Sequence, residues 1–205
     1  MKIVIVYYSM YGHVLQMARA VEKGVQSVAG AEVLLRRVEE FPENMAHIRE
    51  SEHARPVWED QEKIPVCSLD ELRTADGVLF GTPTRYGNMA AQMKRFIDST
   101  VQLWLEGALE GKPAGVFVST STAHGGQETT ALTFMAPLLH LGMLIVGVPY
   151  STPGMLHTEG RGGAPYGAST LAGSQNQLQP APEDLEIATA QGRRVALIAS
   201  KLKTG

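Results

Sequence analysis

The chain has 205 residues, 44% of them hydrophobic and 19% charged, which is enough for one well-buried α/β domain and short for two. Eighteen Lys and Arg stand against 21 Asp and Glu, a net charge of −3 with no basic stripe, so the electrostatic footprint of a nucleic-acid binder is missing. The single cysteine, Cys67, excludes an intrachain disulfide and any cysteine-rich metal centre. With no signal-peptide pattern and no run near 18 apolar residues, we expect a cytoplasmic chain without membrane insertion.

Short β-branched runs alternate with helix-period segments, the pattern of a parallel sheet with helices on both faces. The first strand is read over Ile3 to Tyr8, and Val14, Met17, Val21, Val25 and Val28 then recur at helical spacing until the turn at Ala29-Gly30. Between them lies Ser9-Met10-Tyr11-Gly12-His13. A strand running straight into a helix leaves the first turn's N–H groups unpaired, so this loop reads as a phosphate cradle without a cationic side chain. An ordinary strand-to-helix turn is the alternative for these five residues. No G-x-x-x-x-G-K-[ST] occurs, and the cluster Gly160, Gly162, Gly163, Gly167 departs from G-x-G-x-x-G because Pro165 stands at the third glycine.

A second strand is expected over Glu32 to Val38. The stretch Phe41 to Pro65 is charged, carries Pro42, Pro56 and Pro65, and lacks periodicity. It is therefore read as a variable excursion with one helical turn and no chemistry. Strand three, Gly77 to Gly81, precedes a helix over Asn88 to Thr100 with Asn88 as N-cap. Strand four, Gly115 to Ser119, precedes a helix over Glu128 to Gly142 that Pro137 should kink or interrupt. Strand five spans Leu144 to Val148. About thirty residues follow, Tyr150 to Pro180, with six glycines and three prolines; such a length suits a functional loop or a subunit contact. The last helix is read over Glu183 to Lys203, with Pro182 and Glu183 favourable in its first turn.

Ligands of doubly wound sheets bind beyond the carboxyl ends of the strands, and three unusual loops fall there. They are Ser9 to His13, Thr82 to Asn88, and Ser119 to Gln127. All are rich in hydroxyls and glycine, suited to presenting backbone groups to a flat heteroaromatic edge such as an isoalloxazine.

Several segments carry a family resemblance: Tyr7-Tyr8-Ser9-Met10-Tyr11-Gly12-His13, Phe80 to Met89 (FGTPTRYGNM), Gly125-Gly126-Gln127-Glu128, His140 with Gly142-Met143, and Arg161 to Ala168 (RGGAPYGA). Together they resemble the WrbA family of flavodoxin-like NAD(P)H:quinone oxidoreductases, also called the tryptophan-repressor-binding-protein family. The resemblance spans nearly the whole chain. It implies a single α/β domain over residues 1–205, with a five-stranded parallel sheet in the order 2-1-3-4-5 and a Gly-rich insertion before the last helix. It also implies one FMN per chain, NADH or NADPH as co-substrate, quinone as substrate, a homotetramer, and a role in oxidative stress through two-electron reduction.

By position, the resemblance assigns FMN contacts to Ser9, Met10, Tyr11, Gly12, His13 and Val14, to Thr84, Arg85 and Tyr86, and to Ser119, Thr120, Ser121, Thr122, Ala123 and His124. It sets His140 beside the flavin as the catalytic residue, Tyr11 near the nicotinamide nucleotide and Trp104 beside the substrate. Relatives often carry Ser-Thr-Gly-Thr-Gly-Gly where this chain has Ser119 to His124. Read without the family, His140 is a structural histidine, Trp104 a core or interface residue, and Arg85 either a solvated charge or an anchor for phosphate. No histidine pairing suggests a metal site. The implied reaction passes a hydride through flavin N5 in a ping-pong order. A single-electron carrier of the flavodoxin type and a non-catalytic scaffold are the rival readings; the weak net charge disfavours the first.

Overall fold

The computed structural model describes residues 1–159 and 161–204; Gly160, of the glycine cluster, lies outside the described residues. In chain order the elements are β1 (Lys2–Tyr7), α1 (His13–Gln26) and β2 (Glu32–Arg37), then a 3-10 turn (Pro42–Asn44), α2 (Met45–Glu50), α3 (Ala54–Gln61) and α4 (Leu69–Thr74). There follow β3 (Gly77–Arg85), β4 (Asn88–Met89), α5 (Ala91–Asp98), α6 (Val101–Leu105), β5 (Pro113–Thr120) and α7 (Gln127–His140). The chain ends with β6 (Leu144–Ile145), β7 (Gly163–Ala164), β8 (Gly167–Leu171) and α8 (Pro182–Thr204).

The sheet order is β2-β1-β3-β5-β8-β7, with β6 also on β5 and β4 on β3. Because β1 is central, both of its faces are buried, and this is why it reads as a continuous apolar run. Ile3, Ile5 and Tyr7 pack with Val14, Met17, Val21 and Val25 of α1 and with Ile187, Val195 and Ala199 of α8. Val4, Val6 and Tyr8 face the other way, onto Met93 and Ile97 of α5 and Phe134 and Leu138 of α7. Among the described residues no helix is long and apolar enough to cross a membrane.

Four expectations need correcting. The segment from Leu144 contributes only β6, paired to the start of β5 at Pro113 and Ala114, whereas β8 pairs the end of β5 at Val118 to Thr120. The fifth sheet position is thus split, and Tyr150 to Pro180 holds its second half. Gly167-Ala168-Ser169-Thr170-Leu171 does not read as a strand because its burial rests on hydrogen bonds instead of apolar bulk. Gln191 Oε1 accepts from the Ala168 amide (3.0 Å) and Thr170 Oγ1 donates to Asp184 (2.7 Å).

Asn88 is no helix cap. Strand β3 runs on to Arg85 and turns back through Tyr86 and Gly87, with φ of 53° and 75°, into an antiparallel pairing of Asn88 with Arg85. The helix starts only at Ala91 and ends at Asp98, before α6. Helix α7 is continuous through Pro137, so of the two expected effects interruption does not occur. The excursion Phe41 to Pro65 holds the 3-10 turn and two helices where one turn was expected.

Candidate functional site

A cavity of about 270 Å³ opens at the carboxyl edge, where β1, β3 and β5 end. Its first wall is the β1–α1 loop, with Ser9, Met10, Tyr11, His13 and Val14. Gly12 takes φ 92° at the N-cap of α1, and no side chain caps that helix end from that position. The Gly12 amide donates to Ser9 Oγ at 3.1 Å, and the Gln16 amide donates to the Gly12 carbonyl at 2.9 Å, opening the helical ladder. The amides of His13, Val14 and Leu15 are therefore left at the helix end, where they and the helix dipole favour an anion. A Cβ at Gly12 would come within 3.1 Å of Val57.

The loop is braced from behind. Gln61 of α3 donates to the Ser9 carbonyl at 2.8 Å, and Val57 of the same helix lies against Gly12. Next to Ser9, Tyr8 donates to the buried Glu40 carboxylate at 2.7 Å, and Gln92 Nε2 donates both to Tyr8 Oη (2.8 Å) and to Glu40 (2.6 Å). The Phe41 amide and Asn44 also donate to Glu40, each at 2.8 Å. Burial, and then the Glu40 carboxylate, push the Tyr8 phenol above its ordinary range, so it remains a donor. The buried Glu40 side chain is satisfied by donors from four residues.

The second wall is the β3 end, with Pro83, Thr84 and Arg85. Thr84 Oγ1 accepts from the Gly87 amide (3.2 Å) and from Thr130 (2.7 Å), and Thr133 donates to the Gly87 carbonyl (2.9 Å). The hairpin is thereby fixed on α7, with the Tyr86 ring fully exposed at its tip. Arg85 is exposed, and its Nη1 donates to the Thr84 carbonyl at 2.9 Å.

Ser119, Thr120 and Ser121 form the third wall. Ala123 and His124 line a neighbouring cleft instead, together with Glu128, His157, Glu159 and Arg161. Thr122 lines neither; its carbonyl accepts from Thr120 Oγ1 and from the Gly125 amide, both at 2.9 Å.

The His13 ring is engaged by the Leu178 carbonyl, 2.8 Å from Nε2, which leaves its amide at the helix end. Burial lowers its pKa, opposed by carbonyls of Leu178 and Asn176.

Trp104 and His140 are not gathered at this edge. Helix α7 starts beside the cavity wall and covers about 20 Å over its 14 residues. His140 ends it, just before Leu144 pairs with Pro113 at the opposite end of β5. Trp104 lies in α6 on the same far side, where Glu106 pairs with Arg73 at the end of α4 (2.8 Å) and the Gly111 amide donates to the Gly142 carbonyl (2.9 Å).

Three lining residues escaped the sequence reading: Ala172, Ser174 and Asn176, in the loop after β8. The polar run Gly173-Ser174-Gln175-Asn176 is their only local signal. Gln61, Glu40 and Gln92 were likewise unreadable, because their side-chain bonds to the Tyr8-Ser9 segment and to one another span 32 or more residues and leave no spacing pattern.

The donor set fits a phosphorylated flavin: an amide-rich helix end for the phosphate and hydroxyl-bearing strand ends for a flat ring. A family model for NADPH-dependent FMN reductases matches residues 1–154. The chain belongs to that family. It is 51% identical over 204 residues to an NAD(P)H dehydrogenase (quinone) of Geotalea daltonii, covering 98% of each chain, and 54% identical over 204 residues to one of Syntrophobacter fumaroxidans, again covering 98% of each. Among solved structures it is similar to a flavodoxin, WrbA-like protein from Agrobacterium tumefaciens (TM-score 0.65, 22% identity, 98% of each chain). It is also similar to flavodoxin 1 from Bacillus cereus (TM-score 0.60, 19% identity, 95% of this chain and 97% of that one). The family member therefore has the flavodoxin-like fold, with its fifth sheet position split as described.

Proposed function

We propose that this member of the FMN reductase family is an FMN-dependent NAD(P)H:quinone oxidoreductase. The observation that carries the reading is the convergence of the Gly12 loop at the amino end of α1 with the ends of β3 and β5 around one cavity. Bound FMN would supply the redox chemistry of hydride acceptance from NADH or NADPH and two-electron transfer to a quinone. The chain supplies position and electrostatics. Ser9, Met10, Tyr11, Gly12, His13 and Val14 hold the phosphate end, largely through backbone amides. Thr84, Arg85 and Tyr86 and the residues from Ser119 to His124 would hold the ring, Ala123 and His124 from the neighbouring cleft. Tyr11 meets the nicotinamide nucleotide.

Trp104 and His140 act from a neighbouring subunit, since in their own chain they lie at the far end of the sheet. The exposed side chains of Val101, Trp104, Leu105, Leu139 and Leu144 would be covered in a homotetramer of one-domain chains, with Trp104 stacking on quinone and His140 beside the flavin as the catalytic residue. A cytoplasmic enzyme of this kind would spare the cell semiquinone radicals.

Nicotinamide and quinone are both flat and use the same open side of the cavity, so they bind in turn. Initial rates against NADH at several fixed quinone concentrations should give parallel double-reciprocal lines. Intersecting lines would require room for both substrates at once and would contradict the shared cavity.

A further inference from the structure

The loop after β8 folds back over the amino end of α1. The Ala172 amide donates to the Thr120 carbonyl at 2.7 Å, tying the loop's start to the end of β5, and the Leu178 amide returns to the Ala172 carbonyl at 2.9 Å. Two side chains of α1 then hold the far end: His13 Nε2 lies 2.8 Å from the Leu178 carbonyl, and Gln16 Nε2 donates to Gln179 at 2.7 Å. Within this closed turn the Asn176 amide donates to the Gly173 carbonyl at 3.2 Å, and Asn176 takes φ 59°, a left-handed conformation that asparagine tolerates better than most residues.

Ser174 and Asn176 line the same cavity as Ser9 and Tyr11. Asn176 is half-buried, and among the described residues no hydrogen bond is made by its side-chain amide or by the Ser174 hydroxyl. A phosphate held at the α1 end meets little positive charge from side chains. Among the described residues Arg85 is the one Lys or Arg on the cavity wall, and the His13 ring is engaged by the Leu178 carbonyl. Neutral N–H and O–H groups facing a dianion make charge-assisted hydrogen bonds.

We propose that the 172–179 loop is a strap over the cofactor, with Asn176 Nδ2 and Ser174 Oγ donating to the FMN phosphate from the side opposite the α1 amides. This rests on the FMN reading above and adds residues to that site which the phosphate loop alone does not supply. The strap makes the phosphate, and not only the ring, a determinant of which flavin is retained.

The test compares FMN with riboflavin, which lacks the phosphate. Full-length protein purified with its flavin is exchanged into either one and diluted, and the fluorescence of released flavin gives the dissociation constant. Asn176→Gly removes the amide while keeping a residue that accepts positive φ; it should weaken FMN by about tenfold and riboflavin by less than about twofold. Asn176→Asp, which sets a carboxylate against the dianion, should weaken FMN further and again spare riboflavin. Equal losses for both flavins would reduce the loop to a structural role and overturn the proposal, as would unchanged FMN binding in both variants. Wild-type protein that retains neither flavin would overturn the FMN reading itself, an outcome distinct from either.

Discussion

Gly12 does two things that no other residue can do at its position. Its φ of 92° opens the turn into α1, and its missing Cβ leaves room for Val57, which would otherwise stand 3.1 Å away. A β-branched side chain in the left-handed region costs about 1–3 kcal/mol, and here it would also crowd the Val57 side chain of α3. Gly12→Val should therefore weaken FMN by more than about tenfold, measured by flavin fluorescence; unchanged affinity would mean that the phosphate is held elsewhere. The need for glycine here could be read from the sequence, since Ser9-Met10-Tyr11-Gly12-His13 sits between two strongly patterned elements. Its support could not, because Gln61 and Val57 come from a stretch without periodicity and Glu40 stands just before it.

His13 makes a pH-dependent contribution of definite sign. Burial holds its ring below the ordinary value of 6.5. As pH falls through about 6.5 the unfolded chain takes up a proton that the folded chain refuses, so stability declines until the lowered folded pKa is passed. Above that range the residue contributes no slope. Thermal unfolding midpoints from about pH 7 to about pH 5 should fall more steeply in the wild type than in His13→Gln, which keeps a donor for the Leu178 carbonyl but does not titrate. Equal slopes would remove His13 as the source.

Among the elements, α1 and α8 approach so closely that two glycines define their contact. A Cβ at Gly24 would lie 1.9 Å from the Thr189 carbonyl oxygen, and one at Gly192 would lie 2.2 Å from that of Val21. Both obstacles are backbone, so relief requires a helix to move. Gly192→Ala should cost about 3 kcal/mol and lower the unfolding midpoint by roughly 6–12 °C; a neutral effect would show that the helices can separate freely. Helix α1 was legible from Val14, Met17, Val21 and Val25, and β1 from its apolar run, because burial there rests on side-chain bulk. The split fifth sheet position was not. Leu144 to Val148 carries the hydrophobic signal, but only Leu144 and Ile145 form β6, and the chain returns as Gly167–Leu171, held by Gln191 and Asp184 from α8. Nor was the Tyr86-Gly87 turn, since β3 reaches Thr84 and Arg85 only with Met89 and Asn88 as partners and Asn88 reads equally well as a cap.

For the whole molecule, the two ends of the sheet present different surfaces. The carboxyl edge carries the cavity, while the far edge carries Trp104, 54% exposed, with Val101, Leu105, Leu139 and Leu144 around the α6 and α7 ends. An apolar surface of this kind on a chain of 22.1 kDa is stable in water when another copy covers it. Light scattering at micromolar concentration should return four times the chain mass, and a monomer would contradict the proposed sharing of Trp104 and His140. Trp104→Ala should slow the quinone half-reaction through lost stacking area while leaving reduction by NADH nearly unchanged.

The same fold serves carriers and enzymes, so the central claim concerns what the cavity admits: a nicotinamide first and a quinone second. Rapid anaerobic mixing of the flavin-loaded protein with NADH or NADPH, followed by a quinone, tests it most directly. The account predicts prompt loss of the yellow flavin absorbance with one equivalent of reduced nicotinamide, and full return on adding one equivalent of quinone, with no semiquinone signal at either stage. Flavin that stays oxidised in the presence of both nicotinamides, or that returns through a semiquinone, would contradict it.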